Sequence, residues 1–145
     1  MDLVKLNRNL KRIDVEQIAV QVLKKLNKFI SDLNREQLAL RGENDDGEKL
    51  EPEYTTVTKI IKNESGRGTG SIISHVTLFD KGNLHKSIFS TVDKEEIILG
   101  SNDSKVGELT QKYGEFLGLT PDSIEKLKAK FLPLFWESFY AKLYK

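Results

Sequence analysis

Two histidines and an aspartate are the side chains that come nearest to a catalytic or metal-binding group in this sequence. His75 and His85 flank the turn-forming residues 80–83. A hairpin with that turn would place the two imidazoles opposite each other, with Asp80 between them. A zinc site, however, needs three or four converging ligands held by further hydrogen bonds. Two histidines on hairpin arms are more typical of surface or cross-strand residues, so we predict no metal site.

Two polar runs that contain glycine resemble ion-binding loops, but each lacks a defining residue. Residues 41–50 carry two aspartates and Gly47, yet they lack the ligand spacing of a calcium loop and its glutamate six residues after the glycine. The glycines of residues 63–70 could turn backbone amides toward a phosphate. No Lys-Ser/Thr pair follows them, and the next segment favours a strand over a helix. We interpret both runs as solvated loops.

Catalysis by a nucleophile or by paired carboxylates has no clear candidate either. Ser87 lacks the flanking glycines that would expose a serine nucleophile. The carboxylates lie mostly in loops and on polar helix faces, where solvation accounts for them. We therefore predict a protein without enzyme activity, with no catalytic residues, no cofactor and no metal.

Length and composition are those of one domain. The chain has 145 residues, 38% of them apolar, and its 23 basic and 22 acidic side chains nearly cancel to a net charge of +1. It contains no cysteine, which favours a cytosolic origin over a secreted one. The first thirty residues hold no apolar run long enough for a signal peptide or a membrane span, so we expect a protein that is soluble when made.

The first forty residues are predicted to be mostly helical. Residues 1–13 carry four basic side chains and few apolar anchors, and we predict a mobile arm or one that a partner orders. Asp14 can cap a helix, with Gln17 completing a capping box. The apolar positions that follow recur at helical spacing: Val15, Val22 and Phe29, then Ala19, Leu26 and Leu33, with Ile18 and Ile30 beside them. They predict one long amphipathic helix that ends near residues 40–42.

A small antiparallel sheet is predicted to follow. Residues 54–62 are rich in β-branched side chains and suggest a first strand. A second strand spans 72–79, and Gly82 supplies a turn because glycine adopts positive φ without steric cost. Residues 84–92 lead away from that turn, and 96–99 form a short further strand. The later three strands, with the first as a fourth candidate, make the sheet.

The chain is predicted to finish with two helices. Ser104 can cap a short helix that Gly114 terminates. Thr120 caps the last helix, Pro121 occupies its first position, and Pro133 should bend it. Six aromatic residues crowd this tail: Phe131, Phe135, Trp136, Phe139, Tyr140 and Tyr144. Aromatics spread over more than one face of a helix leave some of them for a partner. The prediction is an α+β fold, with residues 1–13 as a flexible arm and 14–145 as one domain.

Several short motifs follow one another in a set order along residues 33–132. They are Asn-Arg-Glu-Gln at 34–37, Asp-Gly-Glu-Lys-Leu at 46–50, Tyr54, Thr58, Leu-Phe-Asp-Lys-Gly-Asn-Leu-His-Lys-Ser-Ile at 78–88, Gly-Ser-Asn-Asp at 100–103, Lys-Tyr-Gly at 112–114 and Phe-Leu-Gly-Leu-Thr at 116–120. This order resembles the tail-completion (virion morphogenesis, head-tail joining) proteins of tailed phages. Where many relatives carry Thr before the turn glycine and Arg after it, this sequence has Lys81 and the pair His85-Lys86.

The resemblance implies a long first helix and a last helix packed on a small antiparallel sheet. It also implies a ring of subunits in the neck of the virion, made in the bacterial cytoplasm, through which DNA passes with non-specific contact only. Partners would be other copies of the chain and neighbouring neck, portal-adaptor or tail-tube proteins, without a membrane. On this basis the expected subunit or ring contacts are Arg41, Lys49, Arg67, Lys81, Asn83, His85, Trp136 and Tyr140.

Two other classes of function remain open alternatives. A nucleic-acid-binding module would need a concentrated basic stripe. The candidate lysines are interspersed with acids or lie opposite the apolar stripe, as on solvated helix faces: Lys24, Lys25 and Lys28, and Lys126, Lys128 and Lys130. A nuclease or toxin domain would need a cleft with titrating residues, which the sequence alone does not identify.

Overall fold

The structure is a computed structural model that describes residues 1–64, 75–78, 82–94 and 96–145. Its α-helices, in chain order, are α1 (Leu3–Arg12), α2 (Val15–Lys25), α3 (Asn27–Glu36), α4 (Thr56–Glu64), α5 (Asn83–Ser87), α6 (Val106–Tyr113) and α7 (Pro121–Leu143). Two strands, β1 (Ile88–Val92) and β2 (Ile97–Ser101), form an antiparallel hairpin. The predicted α+β class is confirmed, and the described part of the chain is mostly helical. Within these ranges, no helix combines the length and apolarity that crossing a membrane requires.

The N-terminal segment, predicted as an arm, contains a helix. The Asp2 carboxylate accepts hydrogen bonds from the backbone N–H of Val4 (3.0 Å) and Lys5 (3.1 Å), which caps α1. The Asn9 side chain donates to the carbonyl of Leu143 at 2.9 Å and so attaches α1 to the end of α7. Residues 1–13 were predicted to be an arm. Their basic and apolar side chains instead lie on different faces of an amphipathic helix that packs on another helix.

The predicted long helix begins and ends where expected but is interrupted. The Asp14 carboxylate accepts from the Gln17 N–H at 3.0 Å, which confirms the cap of α2. Leu26 leaves helical geometry, with φ −94° and ψ 8°, and separates α2 from α3. After α3, a π-helical turn spans Gln37–Arg41 and ends at Gly42 in the left-handed region, φ 59°. A Cβ at position 42 would lie 2.5 Å from the carbonyl oxygen of Val76, so this position requires glycine.

The sheet is smaller than predicted. Residues 54–62 do not form a strand, because α4 occupies most of them and Thr55 caps it: its hydroxyl accepts from the Thr58 N–H at 3.2 Å. Residues 84–87 belong to α5, so the strand predicted over 84–92 is limited to β1. Of the strand predicted at 72–79, residues 75–78 are not strand and the others lie outside the described residues. In the described part of the chain, the sheet therefore has two strands.

Glycine and proline mark the later turns largely as predicted. Gly82 has φ 86° and precedes α5, whereas Asp80 and Lys81 of the predicted turn lie outside the described residues. Gly114 ends α6 with φ 77°, but the residue that precedes α6 is Lys105, without a side-chain cap, rather than Ser104. Thr120 caps α7 through a 3.1 Å bond from the Ser123 N–H, which confirms that prediction.

Apolar side chains form two clusters. One cluster lies around the π-helical turn and the segments that contact it: Leu38, Leu50, Val76, Leu78, Leu84, Ile88, Tyr113 and Phe116. The other joins α2, α3, the hairpin and α7: Ile18, Val22, Leu26, Ile30, Leu33, Val92 and Leu127. Most of the predicted apolar stripe is therefore buried in the second cluster, although Val15 is 53% exposed.

Buried polar side chains join the two clusters at the junction between the π-helical turn and α7. Asn34 donates to the carbonyl of Phe116 at 3.0 Å. Gln37, fully buried, donates to the Gly118 carbonyl at 2.8 Å and accepts from the Thr120 N–H at 3.0 Å. These amides satisfy backbone groups that no helix or strand partner reaches, so they fix the position at which α7 begins.

Candidate functional site

Helix α7 and Tyr144, which follows it, carry two columns of mostly aromatic side chains. The inner column consists of Phe131, Phe135 and Phe139, which are half-buried against the cluster beneath α2 and α3. Their rings stack in sequence, with centroids 5.6 Å and 6.2 Å apart. Spacing by four residues places all three on one face of the helix. This column anchors α7 to the body of the protein.

The outer column lies beside the inner one and faces solvent. It consists of Leu132, Trp136, Tyr140 and Tyr144, again four residues apart, and these side chains are 49%, 45%, 48% and 60% exposed. Trp136 stacks on Tyr140 at 5.7 Å, and Tyr140 stacks on Tyr144 at 6.0 Å. Trp136 also meets Phe135 and Phe139 edge-on. We call these four residues the outer column; it extends about 18 Å along the helix.

The hairpin exposes a second apolar patch. The side chains of Ile88, Ser90 and Val92 face α3, and Ser90 donates to the carbonyl of Asn27 at 2.8 Å. Alternation along the strand therefore turns Phe89 to the other face, where it is 41% exposed. On β2, Ile98 shares that outer face and is 43% exposed. We call Phe89 and Ile98 the hairpin patch.

The predicted contact residues are distributed over separate places. Trp136 and Tyr140 belong to the outer column. Lys49 is exposed in the loop at 41–50, and Asn83 is exposed at the first position of α5. Arg41 is half-buried within the chain: it pairs with Glu36 (3.5 Å) and Glu43 (3.3 Å) and donates to Ser123 Oγ at 3.4 Å. Arg67 and Lys81 lie outside the described residues.

His85 is a buried residue, which corrects the expectation of a surface or cross-strand histidine. Its side chain is 7% exposed, and Nε2 lies 2.7 Å from the carbonyl oxygen of Thr77. Burial lowers the pKa of His85, and the positive charges of Arg35 and Lys62 act in the same direction. The other histidine, His75, bonds to a different carbonyl, that of Ala39, at 2.8 Å.

The buried imidazole makes stability depend on pH. Because the native pKa of His85 is below the unfolded value of about 6.5, the unfolded state binds the proton first as the pH falls. We expect the free energy of unfolding to be unaffected by this group above about pH 6.5 and to decrease below it. Urea unfolding from neutral pH to about pH 5 measures this slope. His85→Gln should give a flatter dependence, and an identical slope in both proteins would contradict the assignment.

A cavity of about 180 Å³ lies between α4, α5 and α6. The Tyr54 hydroxyl accepts from the backbone N–H groups of Thr77 (3.2 Å) and Leu78 (2.9 Å) at its wall, and the Lys62 ammonium lies 4.8 Å from the centre of the Tyr54 ring. These contacts hold the segment 76–78 in place. Among the residues that the structure describes, no three or more histidine or carboxylate side chains are placed to hold a metal ion.

Part of the exposed apolar surface was predicted from the sequence. Trp136 and Tyr140 were among the expected contacts, whereas Leu132 and the hairpin patch were not. The four-residue spacing from Leu132 to Tyr144 is a signal that could have identified the whole outer column. The hairpin patch had no such signal, because the inward face of β1 depends on its packing against α3.

Comparison with known proteins assigns no family to these surfaces. No family model matches the chain, and neither a curated protein nor a solved structure matches it. The resemblance to phage tail-completion proteins thus depends on the order of its short motifs. The outer column and the hairpin patch are the structural features from which a function can be argued.

Proposed function

We propose that this chain is a structural virion protein of a tailed phage. In this proposal it forms part of an oligomeric ring at the head-tail junction, and DNA passes through that ring. The observation that carries the proposal is the exposed outer column of α7. Order and spacing of the motifs along residues 34–120 support the location in the neck or at the completed end of the tail.

The outer column has the chemistry of a protein interface. Tyrosine and tryptophan are enriched at the buried centres of interfaces, where a few such residues supply most of the binding energy. The four side chains of the outer column are each 45% or more exposed. Docking would remove their apolar surface from water, which stabilises the complex. Exposed apolar patches rimmed by polar residues mark interaction sites in soluble proteins. A partner that binds α7 would therefore explain why the outer column is exposed in the isolated chain.

A second copy of the same chain is the occupant that the surface favours. One molecule carries two different exposed apolar surfaces, the outer column and the hairpin patch. Contact between unlike surfaces of identical subunits is heterologous, and it closes into a ring when the rotation between neighbours divides a full turn. The two-stranded sheet also leaves strand edges that a neighbour can pair with. In the described part of the chain, these features supply both sides of a ring contact.

The expected work of such a ring is mechanical. Subunits assemble stepwise in the bacterial cytoplasm and become part of the virion, where neck, portal-adaptor or tail-tube proteins adjoin the ring. The loop at 41–50 suits contact with an adjoining ring, because the side-chain oxygen of Asn44 holds its exposed tip. Asn44 accepts from the N–H groups of Asp46 (3.0 Å) and Glu48 (2.9 Å). DNA is guided by shape, without chemical turnover.

Light scattering across a concentration series, with negative-stain imaging of the same sample, tests the proposal. We expect a concentration-dependent rise in mass and closed rings in the images. A mass that stays at one chain at every concentration, with no rings when the sample is mixed with isolated phage heads or tails, would overturn it. Mixing matters because some subunits assemble only on a template.

Variants of the outer column identify the contact. Trp136→Ala combined with Tyr140→Ala should weaken assembly at least tenfold, because truncation of an interface anchor costs about 2 kcal/mol or more. Val57→Ser is the matched control: Val57 is 65% exposed on α4, away from the column, and the change should leave assembly unaffected. Circular dichroism checks that both variants are folded. Equal assembly of the double variant and the control would place the contact elsewhere.

A further inference from the structure

A groove between α1 and the end of α7 concentrates positive charge. Its lining contains five cationic side chains and one carboxylate, in a protein whose net charge is +1. The lining residues are Asp2, Lys5, Arg8, Asn9, Arg12, Ile13, Lys142 and Lys145. The carboxylate of Asp2 is already engaged by the backbone N–H groups that begin α1. We call Lys5, Arg8, Arg12, Lys142 and Lys145 the basic groove.

Several cations outside the basic groove are paired with carboxylates. Lys28, Arg41, Lys126 and Lys128 each lie within 4 Å of a carboxylate. In the described part of the chain, none of the five groove cations has such a partner. Five exposed cations with one carboxylate between them create a local positive potential that attracts a polyanion.

The groove has the length of an extended ligand. From Lys5 to Arg12 the helix rises about 10 Å. Lys142 on α7 and Lys145 just beyond the end of α7 add cations on the facing side. One strand of DNA presents a phosphate about every 3.4 Å along its axis, so α1 alone spans about three successive phosphates. A lone phosphate would reach only part of this row. Tyr144 lies at the adjoining end of α1, 60% exposed, where it can stack on a base.

The placement of apolar residues on α1 favours nucleic acid over an anionic membrane. Leu3 and Leu10 are 71% and 51% exposed. At 3.6 residues per turn they lie about half a turn from Arg8 and Arg12. A helix that binds a membrane surface needs its cations beside its apolar face, so that both reach the same lipid layer. Here the two leucines lie on the side of α1 opposite the groove cations. Val4, 69% exposed, lies beside Arg8, one turn away, but a single valine offers little apolar area to a lipid layer.

We propose that the basic groove is a sequence-independent binding site for the sugar-phosphate backbone of nucleic acid. The site is complete within one chain and does not depend on the proposed ring. A protein that fails to form rings would still bind, and a ring whose groove variants bind unchanged would overturn this inference alone.

Fluorescence anisotropy with a labelled duplex DNA of mixed sequence, and with its single strand, tests the site. The affinity should decrease between about 50 and 200 mM salt, with a slope of log K against log salt of about −3 to −4 for the duplex. The triple variant Arg8→Gln, Arg12→Gln, Lys142→Gln should bind at least tenfold more weakly with a shallower slope. Tighter binding of the single strand than of the duplex would assign Tyr144 a stacking role within the same site.

A charge-matched triple variant is the control. Lys24→Gln, Lys25→Gln, Lys86→Gln removes three exposed cations outside the groove and should change the affinity less than about threefold. Because the substituted groove residues are exposed and unpaired, thermal unfolding should be unchanged in both triple variants. Equal weakening by both, or no binding of either DNA at low salt, would overturn the proposal. So would binding to phosphatidylserine vesicles in the absence of DNA binding, because that result would assign the groove to a membrane.

Discussion

Replacing Gln37 with leucine is expected to lower the free energy of unfolding by about 3 kcal/mol. The side chain is fully buried, and its amide serves two backbone groups at once, the carbonyl of Gly118 and the N–H of Thr120. Leucine has nearly the same size but offers neither a donor nor an acceptor. The Thr120 N–H would then remain buried without a partner and the Gly118 carbonyl partly buried without one, at about 1–3 kcal/mol for each group that stays out of water.

Two further variants separate this effect from the loss of any glutamine. Gln37→Glu keeps an acceptor for Thr120 but loses the donor toward Gly118, and it should cost at least as much because it also buries a carboxylate. Gln111→Leu, on the exposed face of α6, should change stability by less than about 0.5 kcal/mol. Urea unfolding of the four proteins measures the differences. If Gln37→Leu were as stable as Gln111→Leu, the amide would have no role in fixing α7.

Arg35→Ala is expected to destabilise the protein by a similar amount, about 3 kcal/mol. The guanidinium donates to the carbonyls of His85 and Ile88, and also to Ser31 Oγ at 3.1 Å and Asp32 at 2.7 Å. It therefore ties α3 to the point where α5 ends and β1 begins. Alanine would leave both carbonyls without their donor in a region that is partly closed to water.

Two variants serve as controls for Arg35. Lys28→Ala removes the other cation that pairs with Asp32, at 2.9 Å, but the Lys28 side chain is 90% exposed, so the cost should be below about 0.5 kcal/mol. Arg35→Lys keeps the charge but lacks the planar fork that reaches two carbonyls, so it should recover less than half of the loss. Thermal unfolding measures all three variants. Full recovery by lysine would show that charge alone, rather than bidentate bonding, holds the hairpin.

Helix ends were predictable where one residue carries the whole signal. Asp14, Thr120 and Pro121 begin helices as expected, since each satisfies or removes free N–H groups without help from distant residues. Gly42 and Gly114 end helical segments because they adopt positive φ. These are local effects, and a single sequence contains all the information that they require.

Secondary structure was predicted wrongly from residue propensity where tertiary packing or a helix cap had the larger effect. The β-branched residues of 54–62 favoured a strand, yet Thr55 caps a helix there, a signal that the run of β-branched side chains obscured. Leu26, the non-helical residue between α2 and α3, has no glycine or proline beside it. The sequence therefore contained no signal that predicted this break. His85 was predicted to be a surface residue because its hydrogen-bond partner, the Thr77 carbonyl, belongs to another segment of the chain.

The candidate surfaces were predictable only in part for the same reason. Trp136 and Tyr140 stood out through their residue type. The basic groove depends on where α1 lies against α7, whereas the sequence predicted residues 1–13 as an arm. A cluster made by two helices from opposite ends of the chain is not visible until their packing is known.

Phe89 has a position that bears on how readily a neighbour could bind. Its ring lies over Gly100 on the paired strand, and a Cβ there would meet Cζ at 2.8 Å. The ring is thus held flat against the backbone by its own hairpin. Freezing a mobile side chain on association costs about 0.5–1.5 kcal/mol. At Phe89 most of that conformational entropy would already be lost on folding, so the proposed partner would meet a rigid ring at the hairpin patch.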